Sequence, residues 1–207
     1  RSNLHFIRAC NDVVLDGSSE RTGVKNALVR MGNRTDVRIV SMSIGTPFYS
    51  SVLYDGVVYA NNKGKMLFAA AGTSFSWTSW WGVIYPAAHG ECIAVTGVNE
   101  SSATCDVCHD GSQVDFTVPM ERNSNVDRNT LSLAGSGNNP SYVGGSSSAT
   151  AMAAGVAALV WSARPTLTRS QVYTAIRNTS QYYPSLNSSR GYGNINAAAA
   201  VSAALTY

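Results

Sequence analysis

The sequence predicts an α/β fold of three layers, with a mostly parallel sheet and helices on both faces. Short apolar and β-branched runs alternate with segments whose apolar residues recur at helical spacing, which is typical of parallel strands joined by right-handed crossovers. The last third departs from this alternation and contains helical segments in succession. No linker or repeat divides the chain, so residues 1–207 are expected to form a single domain.

Four short runs are predicted as strands buried on both faces, because their residues are almost continuously apolar. They are Leu4–Ala9, Arg38–Ile44, Lys65–Ala71 and Cys92–Val98. Between them, helical spacing predicts helices over 22–31 and 51–63, and Gly64 is a typical stop for the second.

The chain from Gly111 to Tyr142 is polar and irregular, and no regular element is predicted there. Three helices follow it. Thr168 is expected to cap the second of them, just after Pro165. The predicted helices are Ser147–Ala163, Thr168–Asn178 and Asn194–Ala204.

The charge content excludes several classes of partner. Charged residues make up 13% of the chain, about half of the usual share, and the net charge of +3 is scattered along it. This charge does not imply phosphate binding, and no nucleic acid partner is expected. The longest apolar run, Ala149–Trp161, is shorter than the roughly 20 residues that cross a bilayer, so no membrane span is expected. A surface rich in Ser, Thr, Asn and Gly predicts a secreted or extracytoplasmic protein, and a start at Arg1 favours a processed product.

Four cysteines, Cys10, Cys92, Cys105 and Cys108, would permit two disulfides in an oxidising compartment, in a pairing that the sequence leaves open. A local bond between Cys105 and Cys108 is favoured. A metal or haem fragment at this Cys pair and reduced, buried thiols are the alternatives.

The segment Gly144–Ala149 places serines at the start of a charge-free apolar helix. The two glycines permit a turn that other residues resist. The helix start supplies N–H groups and a partial positive charge beside any oxyanion formed there. Taken alone, this segment is consistent with a nucleophilic serine and equally with a helix cap formed by Ser147.

Four blocks of sequence resemble the subtilisin-like serine proteases, the subtilases, in the order that this family has them. The resemblance covers nearly all of the chain and corresponds to the C-terminal two-thirds of a subtilase catalytic domain, without its N-terminal strands and its His-bearing helix. It implies that Ser147 is the catalytic serine of a Ser-His-Asp triad. The blocks are Val40–Gly45, Phe68–Gly72, Tyr85–Ala87 with Cys92–Val98, and Gly145–Gly155.

The aspartate and histidine motifs of that family are missing from this sequence. The histidines that are present, His5, His89 and His109, are expected to be structural or exposed. An α/β-hydrolase is excluded, because no Asp, Glu or His follows Ser147. Since a serine without a base is a poor nucleophile, the chain alone is expected to be inactive, and an N-terminal chain or fragment is expected to supply the catalytic Asp and His.

The resemblance also assigns an oxyanion position. Thr73 stands where the family has an asparagine that donates to the oxyanion, and Ala151 stands in place of a helix proline. Because losing one oxyanion donor costs about 100- to 1000-fold in kcat, Thr73 predicts a slow enzyme or a compensating donor.

Substrate recognition is expected to resemble the addition of a strand. The peptide would pair with backbone at Ser43, Ile44 and Gly45, and with residues 17–19. Ile84 should shorten the primary pocket and favour small residues before the scissile bond. The other expected lining residues are Ala71, Gly72 and Gly145, with a loop carrying Trp77, Trp80 and Trp81 alongside.

Two classes of function stay open at this point. One is a secreted endopeptidase, and the other is a non-catalytic scaffold that keeps the groove and binds a peptide or protein partner. No cofactor is expected for either, and structural calcium is left open.

Overall fold

The fold is built on four parallel strands in the order β1-β2-β3-β4. A computed structural model describes residues 2–73, 82–99, 101–105, 107–120, 130–132 and 141–207. The strands of this sheet are β1 (Ile39–Met42), β2 (Met66–Ala70), β3 (Ile93–Val98) and β4 (Val114–Pro119). A separate antiparallel pair consists of β5 (Thr130–Ser132) and β6 (Ser141–Val143).

Helices cover both faces of the main sheet, as the sequence predicts. The first face carries α1 (Ser18–Asn33) and α2 (Ser51–Asn62), and the second carries α3 (Gly145–Ala163), α4 (Arg169–Asn178) and α5 (Ala197–Ala204). Strand β2 lies between the two cores and is buried throughout. Its Met66 and Phe68 belong to the core under α3, and its Leu67 and Ala69 belong to the core under α1 and α2. This double burial explains why the strand contains only apolar residues.

The prediction of a strand over Leu4–Ala9 is wrong. Residues 2–10 have no regular secondary structure, and Leu4 and Phe6 are 78% and 90% exposed. A strand needs a neighbour to accept and donate its backbone hydrogen bonds, and this segment has none among the described residues. A cavity of about 1400 Å³ instead separates it from β1, the edge strand of the sheet.

The expectation of an irregular chain from Gly111 to Tyr142 is also wrong. Strand β4 completes the sheet with buried Val114, Phe116 and Val118. The polar Asp115 conceals this pattern in the sequence. Its carboxylate accepts hydrogen bonds from Ala94 N–H at 2.8 Å and from the Tyr173 hydroxyl at 2.9 Å, and burial raises its pKa to about 6.

Most helix boundaries agree with prediction to within a few residues. Thr168 caps α4 as expected, with a reciprocal bond to Gln171. The last helix begins at Ala197 rather than Asn194, because the Asn196 side chain caps it. The Asn194 amide side chain is bonded to Thr117 and Ser102 instead.

The favoured disulfide between Cys105 and Cys108 is present, with Cα atoms 5.1 Å apart. A second disulfide does not form, since Cys10 and Cys92 are free thiols. Across the described ranges, none of the helices combines the length and the apolar character that a membrane crossing requires.

Candidate active site

Ser147 lies in the first turn of α3, where the helix meets the carboxyl ends of the parallel strands. The N-cap is Gly144 and the helix begins at Gly145, so the alternative in which Ser147 caps the helix is wrong. Gly145 has φ +82°, a conformation that favours glycine, and its N–H donates to Met120 O at 2.8 Å. By its place in the first turn, the Ser147 N–H has no carbonyl one turn earlier to bond.

The end of β1 is tied to the same turn. Ser43 directly follows β1, and its hydroxyl donates to the backbone carbonyl of Ser147 at 2.8 Å. This bond fixes Ser147 relative to the sheet. The Ser147 side chain is itself partly exposed, as a nucleophile must be.

Two hydroxyl groups, those of Thr73 and Ser146, lie next to Ser147. Their oxygen atoms are 2.7 Å apart. Thr73 Oγ1 also accepts from the Ser146 N–H at 2.9 Å, and Ser146 Oγ accepts from the Gly72 N–H at 3.2 Å. Thr73, the expected oxyanion residue, is therefore hydrogen-bonded to the start of α3. Ser146 was not predicted as a site residue, because its only signal in the sequence is a second serine one position before Ser147.

The glycine before Thr73 is packed against a histidine. Gly72 has φ +128°, and a Cβ atom on it would lie 2.5 Å from His109 Nδ1. The Gly72 carbonyl accepts from the His109 N–H at 2.9 Å. His109 is 2% exposed, its Nδ1 lies 2.8 Å from the Gly82 carbonyl oxygen, and burial lowers its pKa. This histidine therefore supports the loop beneath the site.

Three of the expected pocket residues lie together. The Ile84 N–H donates to Ala71 O at 2.9 Å. The Ile84 side chain covers Gly45 so closely that a Cβ atom there would lie 2.4 Å from Ile84 Cδ1. Ile84 therefore narrows the space between the two strand ends, where the sequence analysis places the pocket.

The expected peptide-pairing edge is partly occupied. The Gly45 N–H donates to Val13 O and its carbonyl accepts from the Leu15 N–H, both at 2.9 Å. A substrate strand that pairs with Gly45 must displace residues 13–15 first. Ser43 and Ile44 are partly exposed, whereas residues 18 and 19 are already part of α1. Trp77, Trp80 and Trp81 lie outside the described residues.

None of the three histidines is hydrogen-bonded to Ser147 within the described part of the chain. His5 Nε2 lies 3.3 Å from Asp36 Oδ2. His89 is buried, with its ring 4.7 Å from the rings of both Tyr54 and Tyr85 between centroids, and burial lowers its pKa. Each histidine therefore contacts residues other than Ser147 and is not positioned as its general base.

Across the described ranges, no three side chains of His, Cys, Asp or Glu come together in a group that could hold a metal ion. The structural calcium that the sequence analysis left open therefore has no ligand set assigned here.

Sequence comparison identifies the family. A family model described as the subtilase family matches residues 1–194. The chain belongs to the subtilase family. It is 34% identical over 194 residues to subtilisin E of Bacillus subtilis, an alignment that covers 90% of this chain and 47% of that protein. It is also 34% identical over 159 residues to a thermostable alkaline protease of Halalkalibacterium halodurans, covering 77% of this chain and 40% of the relative. This subtilase chain thus spans about half the length of these relatives.

Solved subtilase-like structures share the fold. A protease of Pseudoalteromonas arctica superimposes with a TM-score of 0.73 at 24% identity, over 88% of this chain and 58% of that one. A lanthipeptide protease has the same TM-score at 20% identity, over 88% and 66% of the two chains. At such identities the likeness establishes the fold, and the predicted three-layer arrangement is confirmed.

Proposed function

We propose that this chain is the serine-bearing part of a secreted serine endopeptidase, whose catalytic Asp and His come from an N-terminal chain or fragment outside these 207 residues. The observation that carries the proposal is the position of Ser147, partly exposed in the first turn of α3 and flanked by Ser43, Thr73 and Ser146. The identity to proteases over most of the chain supports it.

A cavity beside β1 and α3 supports the proposal of an additional segment. The cavity of about 1400 Å³ lies between residues 2–13, the outer edge of β1 and one side of α3. The side of α3 that faces it carries small residues, among them Ala151, Ala154 and Gly155, which allow a second helix to approach closely. The free edge of β1 can accept another strand. A segment that supplies one strand and one helix would therefore fill this cavity.

The cavity also extends to two neighbours of Ser147. Ser43 lines it and bonds the Ser147 backbone, and Ala151 lies one turn of α3 after Ser147. A histidine carried by the bound segment would thus arrive next to the nucleophile. It would accept the Ser147 proton as Oγ attacks the peptide carbonyl, and the aspartate would orient its ring.

The oxyanion would be stabilised by the Ser147 N–H and the Thr73 hydroxyl. Ser146 is 1% exposed, and its oxygen already accepts from Gly72, so its proton is best placed on Thr73. Thr73 Oγ1 then accepts from both the hydroxyl and the N–H of Ser146, and its own proton is left to donate outward. In this arrangement Ser146 positions the donor that replaces the family's asparagine.

The substrate would be a polypeptide with a small residue before the scissile bond, because Ile84 narrows the pocket beside Gly45. Peptide-library profiling tests this specificity. We expect Ala and Ser to be preferred at that position, and Ile84→Ala to shift the preference toward Leu and Phe. A preference of the unsubstituted enzyme for large aromatic residues would contradict the assignment of Ile84.

Secretion is supported by two observations. A disulfide links Cys105 and Cys108, as expected in an oxidising compartment. One relative, 32% identical over 147 residues, is named as a minor extracellular protease of Bacillus subtilis.

Labelling with a fluorophosphonate tests the central proposal. The protein is isolated natively and treated with the probe, and its components are identified by intact mass. We expect one label on Ser147, none on Ser147→Ala, and a polypeptide segment with an Asp and a His motif in the purified protein. Absence of labelling under native conditions would favour the non-catalytic scaffold, and absence of the Asp and His segment would refute the proposed source of the base.

A further inference from the structure

A second pocket, of about 600 Å³, lies at the end of the sheet opposite to Ser147. It opens where β1 and β2 begin, whereas Ser147 lies where β1 ends. Five cationic residues line it: Arg34, Arg38, Lys63, Lys65 and Arg169. They come from the ends of α1 and α2, from the entries to β1 and β2, and from α4. The fold therefore brings together charges that are scattered along the sequence.

Among the described residues, one of these five charges has a counter-ion. Arg34 binds Asp36 through two hydrogen bonds, of 2.9 and 2.6 Å. The other four have no carboxylate within 4.0 Å among the described residues. In a chain of net charge +3, this pocket thus concentrates four cations that have no carboxylate partner in the part of the chain that the structure describes.

The contacts of these cations are with neutral oxygen atoms. The Lys65 ammonium donates to the carbonyls of Arg34 at 2.5 Å and Val37 at 2.7 Å. Arg169 Nη1 donates to Asn61 Oδ1 at 2.6 Å and to the Lys65 carbonyl at 3.0 Å. Such acceptors orient a cation without cancelling its charge.

Lys65 is the buried floor of this pocket. It is 6% exposed, and its pKa is lowered by burial, although the charge of Asp36 opposes that shift. An ammonium has three N–H donors, and carbonyls occupy two of them, so one is left for a ligand. An anion in the pocket would offset the cost of burying this charge.

Two other cations are held in place by aromatic rings. The Arg38 guanidinium lies 5.1 Å from the centre of the Trp161 ring and donates to Pro165 O at 2.9 Å. The Lys63 ammonium lies 5.5 Å from the centre of the Tyr59 ring. Side chains that are already oriented lose little entropy when a ligand binds.

We propose that this pocket binds a tetrahedral oxyanion, a phosphate or sulfate group carried on a small molecule. Several cationic N–H donors that line one pocket suit the oxygen atoms of such a group. The volume of about 600 Å³ has room for a carrier of the size of a sugar. This binding is independent of the proposed protease activity, because it uses none of the residues around Ser147.

Isothermal titration calorimetry of the purified full chain, at low ionic strength, tests the proposal. The titrants are inorganic phosphate, inorganic sulfate, glucose 6-phosphate and glucose 6-sulfate, with acetate at matched ionic strength as the reference. We expect one site per chain that binds at least one of these phosphate or sulfate titrants about 10-fold more tightly than acetate, with an affinity that falls as salt screens the charges. The tighter of the two sugar esters shows whether the pocket prefers a phosphate or a sulfate group.

Substitutions locate the site. Lys63→Gln is expected to weaken binding of the tighter ester about 10-fold, since a charged hydrogen bond contributes about 1.5 kcal/mol. Lys63 is exposed, so this variant should keep the melting temperature of the parent. Lys25→Gln is the matched control, because Lys25 pairs with Asp55 at 2.9 Å and does not line the pocket. The proposal is overturned if none of the phosphate and sulfate titrants binds more tightly than acetate, or if both variants weaken binding equally.

Discussion

Replacing Thr73 with Val tests how much the hydrogen bonds between Thr73 and Ser146 stabilise the start of α3. The two side chains have nearly the same shape, so the variant removes a hydroxyl without leaving a hole. In the structure that hydroxyl makes two contacts, one with Ser146 Oγ at 2.7 Å and one with the Ser146 N–H at 2.9 Å. Both contacts are lost in Thr73→Val.

The expected cost follows from the burial of Ser146. This residue is 1% exposed, so its N–H cannot turn to water once the acceptor is gone. An unsatisfied buried donor costs about 1–3 kcal/mol, and the lost bond between the hydroxyls adds about 1 kcal/mol. The free energy of unfolding should therefore fall by about 3 kcal/mol, which lowers Tm by about 6–12 °C for a chain of this size.

Urea denaturation followed by circular dichroism measures this difference, with Thr73→Ser as the control. Serine keeps the hydroxyl and loses only a methyl group, so it should stay within about 1 kcal/mol of the parent. If the valine variant unfolds within about 0.5 kcal/mol of the parent, or if serine costs as much as valine, the hydrogen-bond network described for Thr73 is incorrect.

Three further predictions concern other parts of the chain. Gly72→Ala should lower the free energy of unfolding by about 2–4 kcal/mol, because φ is +128° and the new Cβ would lie 2.5 Å from His109. Gly64→Ala is the matched control in the same denaturation assay. It has φ +79° and no atom within 4 Å of the new Cβ, so it should lower the free energy of unfolding by only about 1 kcal/mol. Between pH 4 and 7, the free energy of unfolding of the parent, measured relative to that of Asp115→Asn, should fall by about 2–3 kcal/mol. The reason is that the pKa of Asp115 is raised to about 6, so the folded state keeps this proton to a higher pH than the unfolded state does. A difference that does not change with pH would refute this burial effect. Phe6→Ser should leave the stability of the chain alone unchanged, since Phe6 is 90% exposed, yet weaken binding of the Asp and His segment about 10- to 100-fold; equal binding would place that segment elsewhere.

The sequence predicted those elements whose pattern comes from local burial. Strand β2 is apolar at every position because it is covered on both faces, and α4 is marked by Thr168 and Gln171 at its start. Strand β4 was not predicted, because Asp115 interrupts its apolar pattern. The hydrogen bonds that the Asp115 carboxylate accepts come from Ala94 and Tyr173, which are distant in sequence. The segment at Leu4–Ala9 has a strand-like sequence, but pairing needs a neighbour that no local pattern can reveal.

Some residues of the candidate site could likewise be predicted from the sequence, and others could not. Ser147 and Thr73 could be located by their motifs, which are contiguous in sequence. The role of Ser146 depends on a contact with a residue 73 positions earlier, and the anion pocket depends on Lys65 and Arg169, whose groups meet across 104 positions. Such arrangements are created by the tertiary fold and have no counterpart in the spacing of residues along the chain.

The open side of β1 has a practical consequence for anyone who produces this chain. In the described part of the chain, β1 has no neighbouring strand on its outer edge, so its backbone groups there can pair with another chain. The exposed hydrophobic side chains of Leu4 and Phe6 lie nearby. Together these features promote edge-to-edge association between copies. Preparations of these 207 residues alone are therefore expected to precipitate as their concentration rises. Co-expression with the proposed segment should raise the soluble yield, because it would cover the edge before copies of the chain meet.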